Sequence, residues 1–72
     1  MTDFILFGTE GCHLCELAAD LLGETGIRFQ QVDIMANTEW QEKYGLRIPV
    51  LLHSKTGREL NWPFDKLQLL NF

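Results

Sequence analysis

Hydrophobic residues fall in short blocks along the chain, and the spacing within the blocks changes from one to the next. Asp3 to Phe7 is an almost continuous apolar run closed by Gly8, which is typical of a strand buried on both faces. From Cys12 to about Thr25 the apolar residues recur every three or four positions, which predicts a helix with one buried face ending at Gly26. The predicted buried stripe consists of Leu14, Leu17, Ala18, Leu21 and Leu22.

The next two segments complete a strand–helix–strand unit and add a second helix. Ile27 to Asp33 has apolar residues among polar ones and indicates a second strand, less buried than the first. Two strands joined through a helix by short connections are parallel, with a right-handed crossover. Asn37 or Thr38 then caps a short helix that runs through Tyr44 and ends at Gly45.

The last third of the chain predicts a hairpin and a closing helix. Ile48 to Leu52 is an apolar strand that begins with a proline, and Arg58 to Leu60 returns after a turn at Ser54–Gly57. Asn61–Trp62–Pro63 is expected to start the last helix, with proline in the first helical position. The buried side of that helix is predicted from Phe64, Leu67 and Leu70, with Leu69 as a further candidate.

These elements predict one α/β domain over residues 1–72, ordered β-α-β-α-β-β-α, with helices on both faces of a four-stranded mixed sheet. No apolar run approaches the roughly 18–20 residues of a membrane span, and the first residues, Met1–Phe4, show neither the positive region nor the small-residue cleavage site expected of a signal peptide. We therefore expect a cytoplasmic monomer. The net charge of −4 and six scattered basic residues argue against nucleic acid or an anionic membrane as partner.

The only two cysteines, Cys12 and Cys15, lie three positions apart where the predicted first helix begins. A helix N-terminus favours a thiolate, and the pKa of cysteines in such sites falls to about 3.5–7.5 from about 8.5. As thiolate, Cys12 would attack a substrate disulfide, and the more buried Cys15 would then release the reduced substrate. The pattern thus predicts thiol–disulfide exchange, with a disulfide-bearing protein or a small thiol compound as partner.

Other interpretations of the cysteine pair stay open. A structural disulfide would close a loop of four residues, which constrains the unfolded chain little. Zinc would need a second thiol pair, which only a dimer could supply, so we expect no metal. The two thiols could also be unreactive. Glu10 and Glu16 disfavour a thiolate, while a protonated His13 would offset them unless it is merely a solvent-facing side chain. We also count His13, next to Cys12, as a candidate substrate-binding residue.

Three blocks of sequence, taken in order, resemble the thioredoxin-like superfamily, and in particular a bacterial glutaredoxin-like family of unassigned function. The blocks are Gly11–Cys15, Tyr44–Leu51 and Trp62–Asp65. The resemblance implies a cis bond between Ile48 and Pro49, where an ordinary trans proline is the alternative. It also implies that Pro49 packs beside the thiol pair and that the backbone of Ile48 pairs with an extended substrate segment.

The chain departs from glutathione-using glutaredoxins in two places. The residues before Cys12 contain no lysine, and the stretch Thr56–Leu60 has one glycine where those proteins have two. Arg47 or Arg58 would reach a glutathione carboxylate or be solvated. We therefore expect no cofactor and keep glutathione as a candidate reductant. An iron–sulfur cluster shared between protomers through Cys12 and glutathione, and an inactive interaction module, are the alternative functions.

Overall fold

Four strands and three helices make up the computed structural model, which describes residues 2–72. Their bounds are β1 Phe4–Gly8, α1 His13–Thr25, β2 Gln30–Asp33, α2 Thr38–Tyr44, β3 Val50–His53, β4 Arg58–Asn61 and α3 Lys66–Leu70. A 3₁₀ turn, Ile34–Ala36, precedes α2. The order of elements is the predicted one. Within residues 2–72, no helix combines the length and apolarity that crossing a membrane requires.

The strands form one mixed sheet in the spatial order β2-β1-β3-β4. β1 pairs with β2 in parallel, as predicted, and the β1–β3 and β3–β4 pairs are antiparallel. Successive residues of β1 point to opposite faces, so Leu6 joins the core under α1 and α3 while Phe7 joins the core that includes Tyr44 of α2. Helices therefore cover both faces of the sheet, which confirms the predicted α/β architecture.

The buried face of α1 is centred differently from the predicted stripe. Its buried residues are Cys15, Ala18 and Leu22, whereas Leu14 is 47% exposed and Leu17 is 40% exposed. Cys15 is an apolar residue in packing terms, and including it moves the centre of the stripe away from Leu14. The rotation places the second cysteine against the sheet.

The last helix begins at Lys66, three residues after Pro63, where the sequence predicts its first turn. The Trp62–Pro63 bond is cis and lies before the helix, which starts at Lys66. Asp65 sets this start through a capping box: its carboxylate accepts from the Gln68 N–H at 2.8 Å, and its own N–H donates to the Gln68 side chain at 3.0 Å.

The later start of α3 changes which leucines it buries. Leu69 is 3% exposed and Phe64 is 5% exposed, and both belong to the core, as the sequence predicts for Phe64 and, as a further candidate, for Leu69. Leu67 and Leu70, which were predicted to be buried, are 69% and 72% exposed. A five-residue helix has little more than one turn, so it can direct only a narrow face toward the sheet.

Candidate active site

Cys12 occupies the N-cap of α1. Its backbone is extended, with φ −93° and ψ 105°, and its sulfur accepts a hydrogen bond from the Cys15 N–H at 3.2 Å. The preceding Gly11 has a φ of 77°, a left-handed conformation that glycine adopts without a steric penalty. The sulfur of Cys12 therefore lies where unpaired backbone N–H groups and the positive end of the helix dipole favour negative charge.

The two cysteines are joined in a disulfide across one helical turn, with their Cα atoms 5.2 Å apart. That separation is within the ordinary range for disulfides, so the backbone is already arranged for the bond. Cys12 is partly exposed, whereas Cys15 is 8% exposed. An incoming molecule can thus reach the first sulfur more easily than the second.

A cavity of about 340 Å³ lies beside Cys15, at the carboxyl ends of the parallel strands β1 and β2. Ligands of open α/β sheets commonly bind outside the carboxyl ends of the strands. Gly8 and Cys15 contribute to its wall, together with the acidic residues Glu10, Glu16 and Asp33. The surroundings of the second cysteine are therefore acidic, as the sequence around the thiols indicated.

The Ile48–Pro49 bond is cis, and Pro49 is buried. Phe7 of β1 is opposite Val50 of β3, and continuing that antiparallel register by one residue would bring Pro49 opposite Gly8, which lines the cavity. The Ile48 N–H already donates to the Tyr44 carbonyl at 3.0 Å. The Ile48 carbonyl, in contrast, accepts no hydrogen bond from residues 2–72. It is therefore the backbone group of Ile48 that is free to pair with a substrate segment.

His13 lies at the start of α1 and faces solvent. Its side chain is 79% exposed, and its Nδ1 atom is 3.7 Å from a carboxylate oxygen of Glu16. The structure thus gives His13 an acidic neighbour, which a protonated imidazole would neutralise. Its predicted role in binding substrate stays a prediction.

Arg47, next to Ile48 in the chain, is neither a free ligand for a glutathione carboxylate nor a simply solvated charge, the two environments that the sequence suggested. It donates to a Glu59 carboxylate oxygen at 2.8 Å and to the Asn61 side-chain oxygen at 3.0 Å. The Tyr44 hydroxyl donates to the other Glu59 oxygen at 2.8 Å. Glu59 therefore ties the end of α2 and the segment before Pro49 to β4. The observed hairpin brings Glu59 opposite Leu52, on the face that α2 covers, a register that the sequence did not specify.

Hydrogen bonds from Arg47 and from Tyr44 lower the pKa of Glu59 below its ordinary value of 4.5. The folded protein therefore binds this proton less readily than the unfolded chain does. The resulting stabilisation is fully present above the ordinary carboxyl pKa, and it is lost as the pH falls through the lowered value in the folded protein. Burial, together with the hydrogen bond to Glu59, raises the pKa of Tyr44, so its hydroxyl stays a donor at neutral pH.

We expect Glu59→Gln to lower the free energy of unfolding by about 1–2 kcal/mol at pH 7, because it removes charged hydrogen bonds. The deficit relative to the unmodified protein should shrink as the pH falls from 5 toward 3. Urea unfolding at several pH values measures both effects. Glu42→Gln, which changes an exposed carboxylate of α2, is the matched control and should be nearly neutral. An equal deficit at pH 7 and pH 3 would contradict the assigned role of the carboxylate.

The sheet order, the helices on its two faces and the cysteine pair at the start of α1 define a thioredoxin-like protein. The chain belongs to the glutaredoxin-like domain family (DUF836), whose model matches residues 3–72. It is similar to the X-ray structure of the structural genomics target XcR50 from X. campestris, with 39% identity and a TM-score of 0.83. That match covers 92% of this chain and 88% of the other.

Two solved glutaredoxins show a likeness in fold alone. The glutaredoxin grx-1 from Archaeoglobus fulgidus is 15% identical, with a TM-score of 0.67, over 99% of this chain and 85% of that one. Wheat glutaredoxin is 14% identical, with a TM-score of 0.67, over 97% of this chain and 70% of that one. No curated protein matches the chain. The comparisons thus support the family and the fold.

Proposed function

We propose that the protein is a thiol–disulfide oxidoreductase that reduces disulfides by a dithiol mechanism. The Cys12 thiolate attacks one sulfur of a substrate disulfide, forms a mixed disulfide and expels the first substrate thiolate. The Cys15 thiolate then attacks the Cys12 sulfur, which closes the Cys12–Cys15 disulfide and releases the second thiolate. Two electrons pass from the protein to the substrate, and a reductant restores both thiols.

One observation carries this proposal: the two sulfurs are near enough to bond, yet they differ in exposure. Cys12 is partly exposed at the helix N-cap, where a thiolate is favoured, and Cys15 is buried one turn further along. A purely structural disulfide over such a short loop would contribute little stability. The arrangement suits a nucleophile and a resolving thiol better.

The substrate segment is proposed to lie beside Pro49, to contact the exposed side chain of His13, and to pair with the backbone of Ile48. Because the Ile48 N–H is already bonded to Tyr44, this pairing uses the Ile48 carbonyl as acceptor. The substrate is a protein disulfide or the disulfide of a small thiol compound, and the protein acts as a monomer in the reducing environment of the cytoplasm.

Glutathione stays a candidate reductant. The two arginines weighed for its carboxylates are occupied or distant: Arg47 is bonded to Glu59, and Arg58 lies over Phe72, opposite His53 at the far end of β3. The acidic cavity wall also disfavours an anionic tripeptide. We therefore expect glutathione to form only a short-lived adduct on Cys12.

A redox titration of the purified protein in glutathione buffers, followed by mass spectrometry after acid quenching, tests the proposal. We expect the intramolecular disulfide to replace the dithiol as the buffer becomes more oxidising, with little glutathione adduct. A stable adduct as the main oxidised species would indicate a monothiol mechanism instead. A protein that stays fully reduced across the titration would contradict the proposed activity.

A further inference from the structure

Gly8, the last residue of β1, lies directly against the second cysteine. A Cβ atom placed on Gly8 would be 2.9 Å from the Cys15 sulfur and 3.1 Å from the Cys15 Cβ. Gly8 does not have the positive φ that Gly11, Gly26 and Gly57 have. Its backbone conformation is therefore open to any residue, and what the position lacks is space, because the sulfur of Cys15 fills it.

We propose that Gly8 is a positioning residue for Cys15. Because Gly8 has no side chain, the Cys15 sulfur has room to lie where it can bond to the Cys12 sulfur. The proposal rests on the dithiol function argued above. It assigns to β1 a part in the second step, in which the Cys15 thiolate attacks the Cys12 sulfur of the mixed disulfide. The substrate thiolate leaves as the Cys12–Cys15 bond forms.

The surroundings determine what would move if a methyl group were added at Gly8. Gly8 is paired with Asp33 of β2, and the preceding Phe7 is paired with Val50 of β3, so the backbone at this end of β1 has little freedom. Cys15 is held in α1, but its sulfur is the free end of a short side chain when the thiols are reduced. The sulfur is therefore displaced first, and the adjacent cavity receives it.

The oxidised protein cannot relieve the contact in that way, because the sulfur of Cys15 is bonded to Cys12. Gly8→Ala should therefore destabilise the disulfide form more than the dithiol form. It should also slow the step that creates the disulfide. Overpacking of this kind is commonly worth a factor of about ten or more in an equilibrium constant.

One equivalent of dithiodipyridine, a neutral aromatic disulfide, separates the two steps, because each step releases one coloured thione. For Gly8→Ala we expect the first release, from attack by Cys12, within about twofold of the unmodified protein. The second release, from attack by Cys15, should be slower by about tenfold. Gly23→Ala is the matched control, since a Cβ at that helical position meets nothing within 4 Å, and it should leave both steps unchanged.

The ratio of disulfide to dithiol in a thiol redox buffer distinguishes positioning from a general loss of stability. Gly8→Ala should lower that ratio by about tenfold, whereas a merely structural defect would leave it unchanged. If Gly8→Ala does not fold, combining it with Cys15→Ala should restore folding, because the closer of the two contacts, the one with the sulfur, is then removed and only the contact with the Cβ is left. A double variant that stays unfolded, or a second release as fast as in Gly23→Ala, would overturn the proposal. Absence of the first release in the unmodified protein would instead refute the proposed function.

Discussion

Cys12→Ser is expected to lose all catalysed reduction of a small disulfide, leaving only the rate of the buffer. A serine hydroxyl stays protonated at neutral pH, so the position at the N-cap of α1 no longer holds an anionic nucleophile. Cys15 does not replace it, because that residue is buried, with 8% of its surface exposed. The rate of substrate thiol release, followed with an excess of reductant, measures the loss.

Cys15→Ser is expected to separate the two halves of the reaction. Cys12 still attacks the substrate, but no buried thiol follows, so the mixed disulfide accumulates and mass spectrometry detects one substrate thiol added per chain. The pH dependence of Cys12 alkylation in this variant provides the control for activation, and its midpoint should lie below the value of about 8.5 for a free thiol. Full turnover by Cys12→Ser, with none by Cys15→Ser, would reverse the assigned roles.

The sequence was sufficient to predict the order of the elements and the place of the thiol pair, because both depend on local patterns. An apolar run followed by a loop and a helical period predicts a strand–helix–strand unit, and the only cysteines lie at its first helix. The rotation of that helix was harder to predict. The pattern shows the rotation only when Cys15 is counted as an apolar residue, and the contact of Cys15 with Gly8, seven residues earlier, lies outside the hydrophobic periodicity.

Local sequence patterns also could not predict the polar contacts between side chains that are distant in the chain. Arg47 and Glu59 are twelve residues apart, and their bond depends on how the hairpin returns over the end of α2. The sequence leaves Arg47 as either a ligand of glutathione or a solvated charge. The fold instead pairs Arg47 with the carboxylate of Glu59, which the sequence pattern around Arg47 does not predict. Long-range pairing of this kind becomes visible only when the register of β3 with β4 is known.

In α3, the direction in which each leucine points gives the largest expected difference in the free energy of unfolding between variants at two neighbouring positions, Leu69 and Leu70. Leu69→Ala should lower the free energy of unfolding by about 2–5 kcal/mol, because it opens a cavity in the core shared with α1 and β1. Leu70→Ala is the same chemical change one residue later, at a side chain that is 72% exposed, and should cost about 0.5 kcal/mol or less.

Urea unfolding of the two leucine variants tests the helix start at Asp65 directly. A helix that began at Pro63, as the sequence alone suggested, would turn Leu70 toward the sheet and make its replacement the costly one. The capping box of Asp65 and Gln68 fixes the opposite outcome, since it sets the first turn from which Leu69 points inward. Equal losses for the two variants would therefore count against the capped start of α3.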